Sequence, residues 1–340
     1  MAQAVAAYRA ALLVRTQQDH PVEWANTQNN LAAALQTQGS HTKGYAGSDL
    51  LAQSVCSFRS ALKVYTQQDL PVAWAEAQNN LANTLLIQSD YSQAGASKEL
   101  LVQAATAYRA ALKVRTQRDN PVEWAGTQNN LATALQAQGR RSQGEAGDDL
   151  LALAASSYRD VLKVLTQKDH PVQWAEAQNN LANTLQTQGN RTLGAKGIDL
   201  LVEAVTAYHA ALLVRVQQGH PVGWADTQNN LAHALKNQGE RIQGTNGNDF
   251  LVQAVTAYGS ALQVRTQQDH PVQWAQTQEN LAELFQAIAE HDSCKDQSAA
   301  LQTALQHVDN ALTVYDPEYM SYNHDNATEL RDGILAALVK

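Results

Sequence analysis

The chain has 340 residues, with 24 Lys and Arg against 32 Asp and Glu, a formal charge of −8 that reads as modest and evenly spread. It offers no basic stripe to neutralise phosphates, so nucleic acid is not an expected partner. Cys56 and Cys294 lack the close or repeating spacing of a disulfide framework or thiolate metal site and read as small apolar fillers. No stretch is long and apolar enough for a membrane span, and residues 1–9 carry no basic-then-apolar leader, so a cytoplasmic protein is expected.

The chain opens on a segment that recurs every fifty residues. Met1 stands where Leu51 stands in the next copy, and Tyr8, Phe58, Tyr108, Tyr158, Tyr208 and Tyr258 share one column. In the second copy, residues 49–67, the positions Leu50, Leu51, Ser54, Val55, Phe58, Ala61, Leu62 and Tyr65 fall on one side of a 3.6-residue repeat. That pattern predicts a helix, B, with Asp49 placed to cap its first turn.

Pro21 opens a second recurring segment, with counterparts at Pro71, Pro121, Pro171, Pro221 and Pro271. Proline suits the first helical position, where no backbone N–H is required. Trp24, Gln28, Leu31, Ala32 and Leu35 then draw one stripe, predicting a helix A over about residues 21–38. Gly39, Gly139, Gly189 and Gly239 are the expected C-terminal caps. All six tryptophans, Trp24, Trp74, Trp124, Trp174, Trp224 and Trp274, are fifty residues apart. Each is expected to bury on the order of 200 Å² against the neighbouring B helix, about 5 kcal/mol as an upper figure.

Between A and B, residues 39–49 are glycine-rich and polar, a connection that permits left-handed backbone. They lack the Gly-Lys-Ser/Thr ending of a phosphate-binding loop. Between B and the next A, residues 16–20 are short and polar, so consecutive helices should lie antiparallel. The last period loses its glycines yet keeps a helix B around Ala311–Val314. After it, Ile334, Leu335 and Leu338 take the places of Leu31, Ala32 and Leu35. The expected order is B, six A–B pairs and A, fourteen helices in one domain spanning 1–340, with 317–340 as a capping segment.

Helix A with Leu131, Ala132 and Leu135, and helix B with Ala104, Tyr108, Ala111 and Leu112, resemble the tetratricopeptide repeat family in a long-loop form. The family unit is 34 residues, against fifty here. The family's helix-A tryptophan would stand at Gln128, one turn beyond Trp124. The resemblance implies an all-α, right-handed α-solenoid of antiparallel helix pairs. It also implies a concave groove faced by the asparagine before the signature leucine: Asn30, Asn80, Asn130, Asn180, Asn230 and Asn280.

Asparagine is a poor helix former, so pairs such as Asn29–Asn30, Asn79–Asn80, Asn129–Asn130, Asn179–Asn180 and Asn229–Asn230 in mid-helix need a cause. One cause is a bond to an adjacent helix that fixes the geometry between repeats. The other, implied by the resemblance, is a ladder of amides that holds a peptide backbone, with Asn129 and Asn179 beside the six named above; an amide can pair with both an N–H and a C=O. His20, His170, His220 and His270 are too far apart for one ion and read as surface turn residues, so neither metal nor cofactor is expected. No catalytic set stands out from the repeats, so an enzyme is not expected either. The expected function is a scaffold that binds an extended peptide or partner protein. The alternative is a structural protein, extracellular in that case, that self-associates head to tail by completing a repeat between two copies.

Overall fold

The computed structural model describes residues 2–339, and among these all regular structure is helical. The B helices are α1 (Ala2–Leu12), α3 (Gly44–Ala61), α5 (Ala94–Ala111), α7 (Gly144–Val161), α9 (Gly194–Leu212), α11 (Gly244–Leu262) and α13 (Gln297–Leu312). The A helices are α2 (Pro21–Ser40), α4 (Pro71–Asp90), α6 (Pro121–Arg141), α8 (Pro171–Arg191), α10 (Pro221–Arg241), α12 (Pro271–Glu290) and α14 (Ser321–Leu338). Six A helices open on proline, as expected from its fixed φ and missing donor. The helices form two compact units, residues 1–166 and 167–340.

Within each pair the partners run antiparallel. Gly39 at the end of α2 meets Gly47 near the start of α3, Ser54 donates to Ala32 O at 2.8 Å, and Ala25 clusters with Ala61. Successive A helices run parallel: in the first unit Thr127 bonds Asn79, Asn130 bonds Asn83 and Arg141 bonds Asp90, all at nearly one offset. B helices follow suit, with Arg9 donating to Gln53 at 2.6 Å and Arg59 to Gln103 at 2.8 Å. Within the first unit, equivalent residues of successive repeats are therefore brought side by side.

The A-to-B connection departs from the sequence reading. Helix A continues to residue 40 or 41, helix B begins at Gly44, and the expected eleven-residue loop closes to a turn of two or three residues. Asp49 is inside α3, where it accepts from Gln53 Nε2 at 2.8 Å, and caps nothing. Gly39, Gly139, Gly189 and Gly239 are not caps either: they are buried inside their helices. A Cβ on Gly139 would lie 2.8 Å from Leu151 Cγ, so these glycines let the end of A approach the start of B. The left-handed backbone falls instead on Gly44, Gly144, Gly194 and Gly244, with φ of 66–73°. Helix B stops at residue 61 rather than 67, and Tyr65 packs from the following turn.

The fully buried aromatics are Phe58, Tyr108 and Tyr158 in the first unit and Tyr208, Tyr258 and Tyr315 in the second. All six tryptophans are half-buried, Trp24 and Trp74 lying against Ala25, Ala61, Tyr65 and Ala77. Five of these belong to the helix-B ring column and Tyr315 to the turn after helix B, so the core is centred on that column rather than the indoles, each such side chain contributing about 1.5–3 kcal/mol. Cys56 is exposed and so is no core filler. In the last A helix the backbone bonds at Met320 and His324 repeat those at His20 and Trp24, which sets α14 in phase with α2. Buried Ile334 therefore takes the place of Ala34, not of Leu31, and the sequence match was one helical turn out of register.

Charge follows the units. Residues 1–166 hold 14 Lys and Arg against 13 Asp and Glu, whereas residues 167–340 hold 10 against 19, so the acidity is concentrated in the second unit, contrary to the even spread first read. Among the described residues no helix is long and apolar enough to cross a membrane.

Candidate functional site: the helix-A face

The two asparagines of each pair have different surroundings. The first turns to the next helix A: Asn79 and Asn179, both buried, accept from Thr127 and Thr227 at 3.2 Å, and Asn229 accepts from Thr277 at 3.3 Å. Asn29 has the same buried carboxamide, but its neighbour at that register is Ala77 and its Oδ1 has no partner. Asn129 Oδ1 is likewise buried without one.

The second asparagine lies at the surface. Asn30 is exposed; Asn80, Asn130, Asn180, Asn230 and Asn280 are half-buried. Asn130 Nδ2 donates to Asn83 Oδ1 at 3.2 Å, and that oxygen also takes the Tyr108 hydroxyl at 2.6 Å. The second unit repeats the relay, with Asn230 and Tyr208 both donating to Asn183. Asn280 donates to Asn229 at 3.4 Å, and Asn80 accepts from Asn79 at 3.3 Å. Asn30 and Asn180 make no side-chain hydrogen bond among the described residues. A buried helix-B tyrosine thus fixes a helix-A amide, which fixes an amide of the next copy.

In the second unit the same register carries ionic partners. Gln186 bonds His233 Nδ1 at 2.9 Å, and Lys236 Nζ donates to Glu283 at 2.6 Å, with Glu240 at 3.8 Å. The amide nitrogens of both Gln186 and Asn237 lie within bonding distance of His233 Nδ1, an arrangement that suits a ring carrying its lone pair on that nitrogen. Burial first, and then the Lys236 charge, hold its pKa below the ordinary 6.5. A lowered histidine pKa means that the unfolded chain binds the proton more readily. Its contribution is complete above about pH 6.5 and declines as pH falls toward the folded value. Urea midpoints at pH 7 and pH 5 should therefore differ less in His233→Asn than in the parent; identical pH dependence would remove His233 as a contributor.

A second set of residues went unnoticed in the single-copy reading. Arg15, Arg115, Arg215 and Arg265 each donate to the threonine twelve residues on, at 3.0–3.1 Å. Where the arginine is replaced by Tyr65 or Tyr315, the threonine is Ala77 or Ala327. The partner on the preceding helix A changes as well: Arg265 pairs with Asp226 at 2.7 Å, and Glu176 partly counters the burial of Arg215, whereas Tyr65 bonds Asn26. Comparing the repeat columns in pairs would have exposed this linkage, because the residue types change together. Tyr65→Arg and Ala77→Thr should each destabilise alone, and the double variant should recover about 1–2 kcal/mol of coupling in urea unfolding; strict additivity would show the linkage to be incidental.

The histidines before the prolines occupy N-cap positions without capping bonds, and among the described residues no group of three or more His, Cys, Asp or Glu is placed to hold a metal ion. A fifty-residue period, with parallel A helices and a recurring bonding register within each unit, defines a helical tandem-repeat protein. No family model and no curated protein matches the chain. Among solved structures it is similar to a circular tandem repeat protein with novel repeat topology and enhanced subunit contact surfaces, at 12% identity and a TM-score of 0.38, over 98% of this chain and 82% of that one.

Proposed function

We propose that this protein is a binding scaffold of the tetratricopeptide kind, which holds an extended segment of a partner polypeptide along its A helices. The reading is supported by the way Asn130 and Asn230 are anchored. Each commits one amide hydrogen to the relay and leaves its oxygen and second hydrogen without a partner among the described residues. An amide held in one orientation loses less entropy when it meets a peptide backbone. Asn30 and Asn180 offer the same groups unanchored, while Asn179 serves the contact between repeats and the buried oxygen of Asn129 finds no partner among the described residues. The exposed Asp325, Asn326, Glu329 and Asp332 of α14 support a capping role for 317–340 over a face for a second copy.

The test is fluorescence anisotropy with extended, labelled peptides on the whole chain. Asn180→Ala with Asn230→Ala should weaken binding about tenfold with helicity unchanged. Tyr208→Phe, which releases the anchor without touching the amides, should weaken it severalfold. Affinity that survives both changes would exclude the amides as the contact.

A further inference from the structure

One copy of the B-to-A turn departs from its siblings at several places within eleven residues. Val216 replaces the threonine of Thr16, Thr66, Thr116 and Thr266; Gly219 replaces Asp19, Asp69, Asp119 and Asp269. Leu213, like Leu13, stands where three copies have lysine. Gly223 stands where Glu23, Glu123, Gln173 and Gln273 stand, and Ala73 in one copy. In the sibling turns the threonine hydroxyl donates to the aspartate at 2.6–2.8 Å. The altered turn gives up that bond, and its Leu213 and Val216 are 65% and 44% exposed.

Beside this turn a pocket of about 360 Å³ opens between α8 and the start of α10. Val172, Val214, Pro221 and Val222 wall it, with Glu176 and Arg215 as its charged groups. Gly223 also lines it, where most other copies carry a longer side chain. A Cβ there would meet only Arg215 Cδ, at 4.0 Å, so packing does not demand the glycine. Arg215 donates to Thr227, and Glu176, exposed and electrostatically coupled to Arg215, makes no ion pair within bonding distance among the described residues. The surrounding unit carries the excess of acidic residues, which favours a cationic partner. Glu176 and Asp226 lie one turn before Asn180 and Asn230, so pocket and amides share the same stretch of helix A.

The geometry points to a docking site for a cationic polypeptide segment, which seats one aliphatic side chain between Val172 and Val222 and sets a lysine or arginine against Glu176. This rests on the scaffold reading and adds its specificity: the amides hold the backbone, the pocket selects the side chain.

Three labelled peptides on the whole chain test it: lysine and serine alternating around one central leucine, the same peptide with central serine, and the leucine peptide with glutamate for lysine. The leucine–lysine peptide should bind at least tenfold more tightly than the other two. Gly223→Gln should reduce its affinity to that of the serine peptide while melting stays unchanged or rises, since glutamine is the better helix former. Glu176→Gln should cut the lysine preference severalfold. Equal binding of all three peptides, or unchanged affinity in Gly223→Gln, overturns the pocket. The Asn180→Ala, Asn230→Ala double variant separates the two readings: the pocket stands if leucine selectivity survives the loss of the amides, and falls alone if every peptide weakens equally in that variant while Gly223→Gln changes nothing.

Discussion

Gly47→Ser is expected to destabilise the first unit by about 3 kcal/mol, a loss out of proportion to one added side chain. A Cβ on Gly47 would lie 1.9 Å from the Thr42 carbonyl oxygen and 2.9 Å from Gly39 O, both backbone atoms of the closed A-to-B turn. Neither can rotate aside as a side chain would, so the turn itself must shift. The second copy shows how. There Ala94 and Ser97 hold the positions of Gly44 and Gly47, no positive φ is used, and Ser97 N donates to Gln93 O at 2.8 Å. Gly44→Ala alone should cost about 1–2 kcal/mol for a side chain at φ 71°. The double variant should then cost less than the sum of the two, because the turn is free to adopt the form of the second copy. Urea unfolding followed by circular dichroism reads all three; additive losses would show that the two turn forms are not alternatives.

Tyr208→Ala is expected to cost about 4 kcal/mol, since the ring is fully buried and its removal leaves a cavity among rigid helices. Tyr208→Phe isolates the hydroxyl, which reaches Asn183 Oδ1 and Gln186 Oε1, both at 2.6 Å. Its loss should cost about 1–2 kcal/mol, less than an orphaned carboxamide would imply, because Asn183 still accepts from Asn230. Tyr258 supplies the contrast. It is equally buried and its hydroxyl has no partner, since His233 stands where the relay has asparagine. Tyr258→Phe should therefore be neutral or slightly stabilising. If the two phenylalanine variants lose equal stability, the relay does not hold the Asn183–Asn230 contact.

Most of the fold was legible because periodicity reports burial directly. Six prolines and a ring column at one spacing fixed the helix order, and the stripe through Leu31, Ala32 and Leu35 marked the face that is buried. The glycines were misread for a physical reason. A glycine after an apolar stripe fits a C-terminal cap and a close helix contact equally well, and only the position of Leu151 against Gly139 separates the two. The candidate site was legible in part: the amide column stood out, but its partners lie 47 or 48 residues away, on a neighbouring helix. The pocket beside Gly223 gave its signal in sequence as a cluster of lost polar groups, but nothing in the sequence said that Val172 and Val222 would form its walls.

What the amino-acid order alone determined is the repeat: helix identity, pairing and the residues that meet the core, all set by short-range spacing along 3.6-residue turns. What only the tertiary structure decided is which amide faces a neighbour, which charge is paired and which unit carries the excess acidity. Those properties depend on the offset at which one helix is laid beside the next, and that offset is fixed by packing between residues far apart in the chain.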